Sequence, residues 1–278
     1  MTDVRNYLPA AIAMVFLFGL VHLFKLARLY LVLIDEKIRL RRFFFAYFLT
    51  TLLNSVIPFK LGEFYRIFVF NHLTGSVEIG FLSVVIDRFF DTLGLVLILI
   101  PLQILYPDTV SAVSIFLTAF LVVIVFIYCI FPSTYRYLNR YIILNRTSRR
   151  SMAVLRALSG LKVGYDYVKR LVSGRYGLLL LLSLLAWTAE GMLIRVFYGA
   201  RFGKGFQMRV FCEYIASILD SSKQSVIGNA YTDRCIVMLL IAVVISGVFY
   251  LVGFLKQKFG SLGSKERDKV WVSEKKRG

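Results

Sequence analysis

Long apolar runs alternate along this chain with short clusters of basic residues. Weakly charged or uncharged stretches cover Tyr7–Phe24, Phe81–Ile86 continuing through Leu93–Tyr106, Val110–Phe131, Tyr176–Leu193 and Cys235–Leu255. A helix needs about 20 such residues to cross the hydrocarbon core of a bilayer, so these runs predict spanning helices. Between them no stretch reaches the roughly 100 residues of a typical soluble domain. The pattern predicts an all-α, polytopic transmembrane helix bundle: a single transmembrane domain over residues 1–256 and a basic tail over 257–278. The first run lacks a basic start and a small-residue cleavage site, so it reads as a retained span.

Two segments interrupt the apolar pattern. "NSVIPFKLGEFYRIF" places Pro58, Lys60, Gly62, Glu63 and Arg66 inside the stretch Phe43–Phe70. Proline cannot continue a helix, because it lacks an N–H and its ring clashes with the preceding turn, and Gly62 loosens the backbone further. Two half-helices are expected there, the second from about Leu61 to Phe70. The other interruption, "LDSSKQSVIGNAYTDR", carries Asp220, Lys223 and Gly228 within Phe206–Ala230 and Asp233 and Arg234 just after it.

Charge changes the picture next. The formal charge of +18 would point to nucleic acid in a soluble protein, but here it sits in three blocks and no compact basic fold holds it, so no nucleic-acid partner is expected. Lys25–Arg42 holds six Lys/Arg against Asp35 and Glu36, Pro132–Arg175 holds ten against Asp166, and Lys256–Gly278 holds eight against Glu266, Asp268 and Glu274. Such segments mark the cytoplasmic side and attract anionic lipid headgroups. With all three blocks on one side, an even number of crossings must separate them. Three apolar segments lie between Arg42 and Pro132, and three more between Arg175 and the tail. Each interrupted segment is therefore expected to enter and return as a re-entrant hairpin. Two hairpins entered from opposite faces would make an inverted repeat.

Membrane-depth charges face a protein interior or a cavity. Lys60, Glu63 and Arg66 are complemented by Asp87, Arg88 and Asp91, and the six formal charges sum to zero. Gly80, Ser83, Asp87, Asp91 and Gly94 recur at intervals of three and four, one polar, small-residue helix stripe. The half-helix starting near Leu61 aims its free N–H groups and positive dipole end at the break. With Lys60 and Arg66 this makes an anion site of the right character for a lipid phosphate. The competing reading is an ion-pair network that only locks the hairpin in place. Glu190 is a further membrane-depth acid, to be paired with Arg195, paired with a residue of the second hairpin, or satisfied within the bundle. Trp187 reads as packing or as an interfacial anchor.

Cys129, Cys212 and Cys235 are odd in number, and neither they nor the isolated His22 and His72 show metal spacing. No metal site and no cofactor are expected. A phosphate loop and a nucleophile elbow are both missing, so the chain is not expected to be an enzyme.

The residues resemble the lysylphosphatidylglycerol synthase transmembrane-region family, also described as flippase-like. The likeness lies in "NSVIPFKLGEFYRIF", "SVVIDRFFDTLGLVLILI" and "LLLSLLAWTAEGMLIRVF", and spans roughly Tyr7 to Leu255. The family pattern of Asn, Pro, a basic residue, Gly-Glu and Arg, then a charged pair and Asp on the next helix, is met by Asn54, Pro58, Lys60, Gly62, Glu63, Arg66, Asp87, Arg88 and Asp91. Lys60 stands where the family more often has Arg. The second family motif, rich in Pro and Gly and ending in Glu, is matched by "SVIGNAYTDR" with Gly228 and Asp233 but without its proline. The resemblance implies a plasma (cell inner) membrane protein that moves or handles lipids, expected here without the soluble aminoacyl-transferase domain. A lipid translocase for an anionic phospholipid or lipid-linked phosphate is the first expectation. The alternative is a non-catalytic scaffold for a glycosyltransferase or other membrane enzyme of envelope glycolipid or polysaccharide synthesis, docked through Pro132–Arg175.

Overall fold

The computed structural model describes residues 4–57, 61–105, 112–145, 149–202, 208–219 and 226–275. Among the described residues there are helices and turns but no strand. The helices are α1 (Val4–Val32), α2 (Leu40–Val56), α3 (Leu61–Thr74), α4 (Val77–Leu105), α5 (Ala112–Asn145), α6 (Arg149–Val172), α7 (Tyr176–Phe202), α8 (Met208–Leu219) and α9 (Val226–Lys275), with a short 3-10 turn at Ile34–Glu36. Among the described residues four stretches are long and apolar enough to cross a membrane: Leu8–Val32, Ile115–Leu144, Tyr176–Arg201 and Asn229–Lys256. α4, at 29 residues, reaches about 43 Å but carries Asp87, Arg88 and Asp91. Phe16, Phe116, Val122, Val244 and many similar side chains are exposed on these helices, the surface that a hydrocarbon environment would cover.

Side-chain pairs give the helix directions. Lys25 meets Glu190, Arg28 meets Ser183 and Asp35 meets Arg175, so α1 and α7 run antiparallel. α2 ends where Pro58 follows, and Ile57 takes the extended conformation (φ −81°, ψ 122°) that a residue before proline favours. α3 then runs back along α2, with Gly62 against Asn54 and Phe43 against Phe70 at 6.0 Å between ring centroids. Gly75, at φ +71°, closes α3 in the left-handed conformation and accepts no strain there, and α4 returns along α3 with Gly80 against Asn71. α9 lies antiparallel on α2, where Phe45 stacks on Tyr250 at 5.7 Å and Arg41 packs against Gly253.

These directions bring the end of α1, the starts of α2 and α7 and the Lys/Arg-rich end of α9 to one end of the bundle. Asp35 and Arg175 join there in two hydrogen bonds of 3.0 Å, and the guanidinium holds the Asp35 carboxyl below its usual range. Tyr167 and Val168 of α6 pack at this same end with Leu31, Phe89 and Leu180. α6 pairs antiparallel with α5, Phe131 with Tyr165 at 5.1 Å between ring centroids and Tyr135 with Lys162 at 5.3 Å.

At the second interruption α8 ends at Leu219 and α9 begins at Val226, and the expected turn between them, residues 220–225, lies outside the described residues; Gly228 and Asp233 lie in the first turns of α9. Without a proline, "SVIGNAYTDR" has nothing that removes a helix hydrogen bond. Asp233 is exposed. Asp220 and Lys223 lie outside the described residues.

The helix crossings rest on glycines. A Cβ on Gly62 would overlap the Asn54 backbone and one on Gly80 would overlap Asn71, whereas one on Gly199 would meet nothing within 4 Å. Gly62→Ala and Gly80→Ala should each cost about 1–3 kcal/mol by overpacking, and Gly199→Ala should be neutral or stabilising. Thermal unfolding of the purified variants in detergent checks the order.

Candidate functional site

α1 supplies the residue around which the polar interior is built. Arg28 is 2% exposed; its Nε donates to Asp87 Oδ1 at 2.8 Å, and its Nη1 to Asp91 Oδ1 at 2.8 Å and to Ser183 Oγ at 2.9 Å. One guanidinium thus ties α1 to α4 and α7. The other Asp87 oxygen accepts from Arg66 Nη2 of α3 at 2.9 Å, so this 2%-exposed carboxylate carries two guanidiniums. Arg88 pairs with Glu63 across the α3–α4 contact and comes within 3.9 Å of Asp91.

A second pair lies farther along α7. Lys25 Nζ donates to Glu190 Oε2 at 2.6 Å, and Tyr214 Oη of α8 donates to Glu190 Oε1 at 3.0 Å. Lys25 also stands 5.4 Å from the centre of the Trp187 ring. Trp187 is packing and not an interfacial anchor: it is buried in the main apolar cluster, and its Nε1 donates to the Asp91 carbonyl at 3.0 Å. Glu190 is therefore satisfied by α1 and α8, while Arg195 is exposed.

The described network balances four cations, Lys25, Arg28, Arg66 and Arg88, against four acids, Glu63, Asp87, Asp91 and Glu190. Balance matters because removing one partner of a buried pair costs about 3–5 kcal/mol, while the intact pair adds little stability over an apolar equivalent. Ion pairs of this cost inside a membrane domain point to a functional role.

Of the residues expected at the site, Glu63, Arg66, Asp87, Arg88 and Asp91 meet in one cluster, and Asn54 borders it across the Gly62 contact. Pro58 and Lys60 lie outside the described residues. The small-residue stripe of α4 serves two neighbours: Gly80 meets α3, and a Cβ on Gly94 would lie 2.8 Å from Ser183 Cβ of α7. Lys25 and Arg28 escape the sequence reading because they head a run of basic residues that looks like a cytoplasmic loop. Instead both sit inside α1, with Arg28 among the most buried side chains. The available signal was spacing: Leu8–Val32 remains apolar enough to span with both residues included.

Among the described residues several buried polar atoms have no hydrogen-bond partner, and four of them lie on α2, α3 and α4 about the Gly62–Asn54 and Glu63–Arg88 contacts: Asn54 Oδ1, Glu63 Oε2, Arg66 Nε and Arg88 Nε. Buried polar groups are rarely left unpaired without a reason, a bound ligand or water among them. The set offers two donors from guanidiniums and two acceptors. Among the described residues no group of three or more His, Cys, Asp or Glu could hold a metal ion.

Coupling across the Lys25–Glu190 pair is measurable. Lys25→Met and Glu190→Gln should each destabilise the protein, and the double variant should fall short of their sum by about 0.5–3 kcal/mol. A double-mutant cycle by chemical or thermal unfolding checks this, with additive effects expected only if the pair is not formed.

Comparisons with known proteins bear on this geometry. The family described as lysylphosphatidylglycerol synthase TM region matches residues 2–200, which takes in α1 to most of α7 and every member of the ion network except Tyr214. A search of curated proteins and a search of solved structures each find no match. With more than half its length matched, this integral membrane protein belongs to the lysylphosphatidylglycerol synthase transmembrane-region family.

Proposed function

We propose that the protein is a flippase-like lipid translocase, and that it takes the headgroup of an anionic phospholipid or lipid-linked phosphate at the break between α2 and α3. The observation that carries this reading is the group of unpartnered buried atoms at the break, with Arg66 Nε and Arg88 Nε both lacking acceptors. A phosphate oxygen supplies such acceptors, and guanidinium is the side chain best matched to it. In this reading α2 and α3 form the re-entrant hairpin, which irregular backbone at membrane depth requires to be lined by protein or by a wet cavity.

The pairing pattern lets a headgroup enter without stranding a charge. Asp87 holds Arg66 on one oxygen and Arg28 on the other. Arg66 can turn toward a phosphate while Arg28 keeps Asp87 and Asp91 neutralised, so Arg28 acts as a positioning residue. Arg88 and Glu63 flank the entrance, and Lys60 adds positive charge from the connecting segment. The protein is a carrier in this account and not an enzyme. Its basic end faces the cytoplasm, as the concentration of Lys/Arg at one end of the bundle favours, and the plasma membrane is its location.

Leaflet exchange of headgroup-labelled anionic and zwitterionic lipids in liposomes tests the proposal. Loss of one buried charge-assisted contact predicts that Arg66→Ala slows exchange of the anionic lipid about tenfold or more, with Arg66→Lys intermediate. An Arg66→Ala protein that is folded and exchanges lipid at the wild-type rate would overturn it. The scaffold alternative, with the α5–α6 hairpin as the docking element, would then take its place.

A further inference from the structure

Away from the ion network, α5 and α6 enclose a cleft of about 230 Å³ near the basic end of the bundle. Its charged lining is Arg136, Lys162, Lys169 and Asp166, three cations against one carboxylate. Phe131, Tyr135 and Tyr165 form its aromatic wall; Tyr165 lies 5.1 Å from Phe131 between ring centroids. Lys162 is held by Asp166 at 3.0 Å and stands 5.3 Å from the Tyr135 ring centre. Among the described residues Arg136 hydrogen-bonds through its Nε alone, to the Pro132 carbonyl at 3.3 Å, and Lys169 has no ion-pair partner.

Depth identifies the ligand. Along α5 no charge occurs from Ala112 to Tyr135, and Arg136 is the first. That stretch is about 36 Å long, enough for the hydrocarbon core of about 30 Å, which puts Arg136 and the tyrosines at headgroup level. Below the cleft the same helix exposes Val122, Val123, Phe126, Ile127 and Ile130. A molecule with its phosphate among Arg136, Lys162 and Lys169 would have this apolar face available for acyl chains.

We infer that this cleft is an interfacial binding site for the phosphate headgroup of an anionic phospholipid of the basic-side leaflet, separate from the α2–α3 break. Its occupant anchors the α5–α6 hairpin to the bilayer surface. The inference does not depend on translocation, because it uses none of the residues of the ion network.

Native mass spectrometry of the full chain with phosphatidylglycerol and phosphatidylcholine tests it, with glycerol 3-phosphate as a soluble competitor. Arg136→Gln with Lys169→Gln should weaken phosphatidylglycerol binding about 25-fold, from about fivefold per charge removed, and leave phosphatidylcholine unchanged. Arg140→Gln with Arg156→Gln removes the same charge from exposed positions outside the cleft and should change affinity less than about twofold if general attraction is minor. All four side chains are exposed, so folding should survive. Equal losses from the two pairs would mean diffuse attraction, and no loss from the first pair would mean an empty cleft; either result overturns the site. Displacement by glycerol 3-phosphate at equal concentration would overturn the lipid in favour of a free phosphate compound.

Discussion

A guanidinium cannot be placed in the middle of a membrane bundle unless acceptors are waiting for it, and Arg28 finds three on two helices. Asp87 and Asp91 of α4 and Ser183 of α7 all lie within 2.9 Å of its nitrogens. An ammonium group could not satisfy the same geometry, since the planar fork reaches two carboxylates at fixed angles while a lysine offers a point charge. The demand propagates outward. Asp87 must face α1 and α3 at once, so α4 must run beside both, and α7 must present Ser183 at the level of Asp91. The hydroxyl of Ser183 accepts from Arg28 and passes its own hydrogen to the Leu179 carbonyl at 2.9 Å, which leaves no loose polar end. The packing direction and the ion pairs thus specify each other.

Glycine supplies the close approach that such short contacts require. The three crossings at Gly62, Gly80 and Gly94 leave room for no further carbon atom, and they fall on the three interfaces that meet the ion network. In lipid, association of helices draws on van der Waals contact and polar pairing, because the surrounding acyl chains are as apolar as the helix faces. Small residues at the crossings and charges between them serve that one purpose. The resulting close packing sits next to the end of α2, capped by Ile57, and the start of α3 at Leu61.

How much of this the sequence discloses depends on whether a feature is local. The end of α2 is legible because Pro58 acts on the residues beside it, and Ile57 takes the conformation that its neighbour imposes. The α4 stripe is legible because helix periodicity places Gly80, Asp87 and Gly94 on one side whatever packs there. Arg28 is not legible in the same way. Its charge is indistinguishable from that of Arg39 or Arg41 until a partner 59 residues away is in view. Glu190 shows the same limit, since its partner Lys25 is 165 residues distant and heads a run of basic residues. Gly228 lies within α9, since a glycine permits a break without enforcing one and no proline stands beside it. The proline that defines the first interruption has no counterpart in the second.

The arithmetic of the network constrains what any ligand can do. Four cations and four acids leave the described cluster neutral, so a site that simply added a phosphate would bury an uncompensated negative charge. Two features relieve this. Asp87 is shared by Arg28 and Arg66, so one guanidinium can leave without exposing a bare carboxylate to low dielectric. Glu63 and Arg88 sit at the more open edge, with side chains 22% and 41% exposed, where water can compensate a changed partner. Arg28 and Asp87, at 2% and 3%, have no such recourse. Mobility should therefore be graded: fixed at α1 and α4, exchangeable at α3, and most free at the Glu63–Arg88 edge. The site proposed at the break needs such a gradient, because a guanidinium has to change partners there. The distribution of burial across the pairs, more than the presence of charge, would distinguish a site that opens from one that only holds.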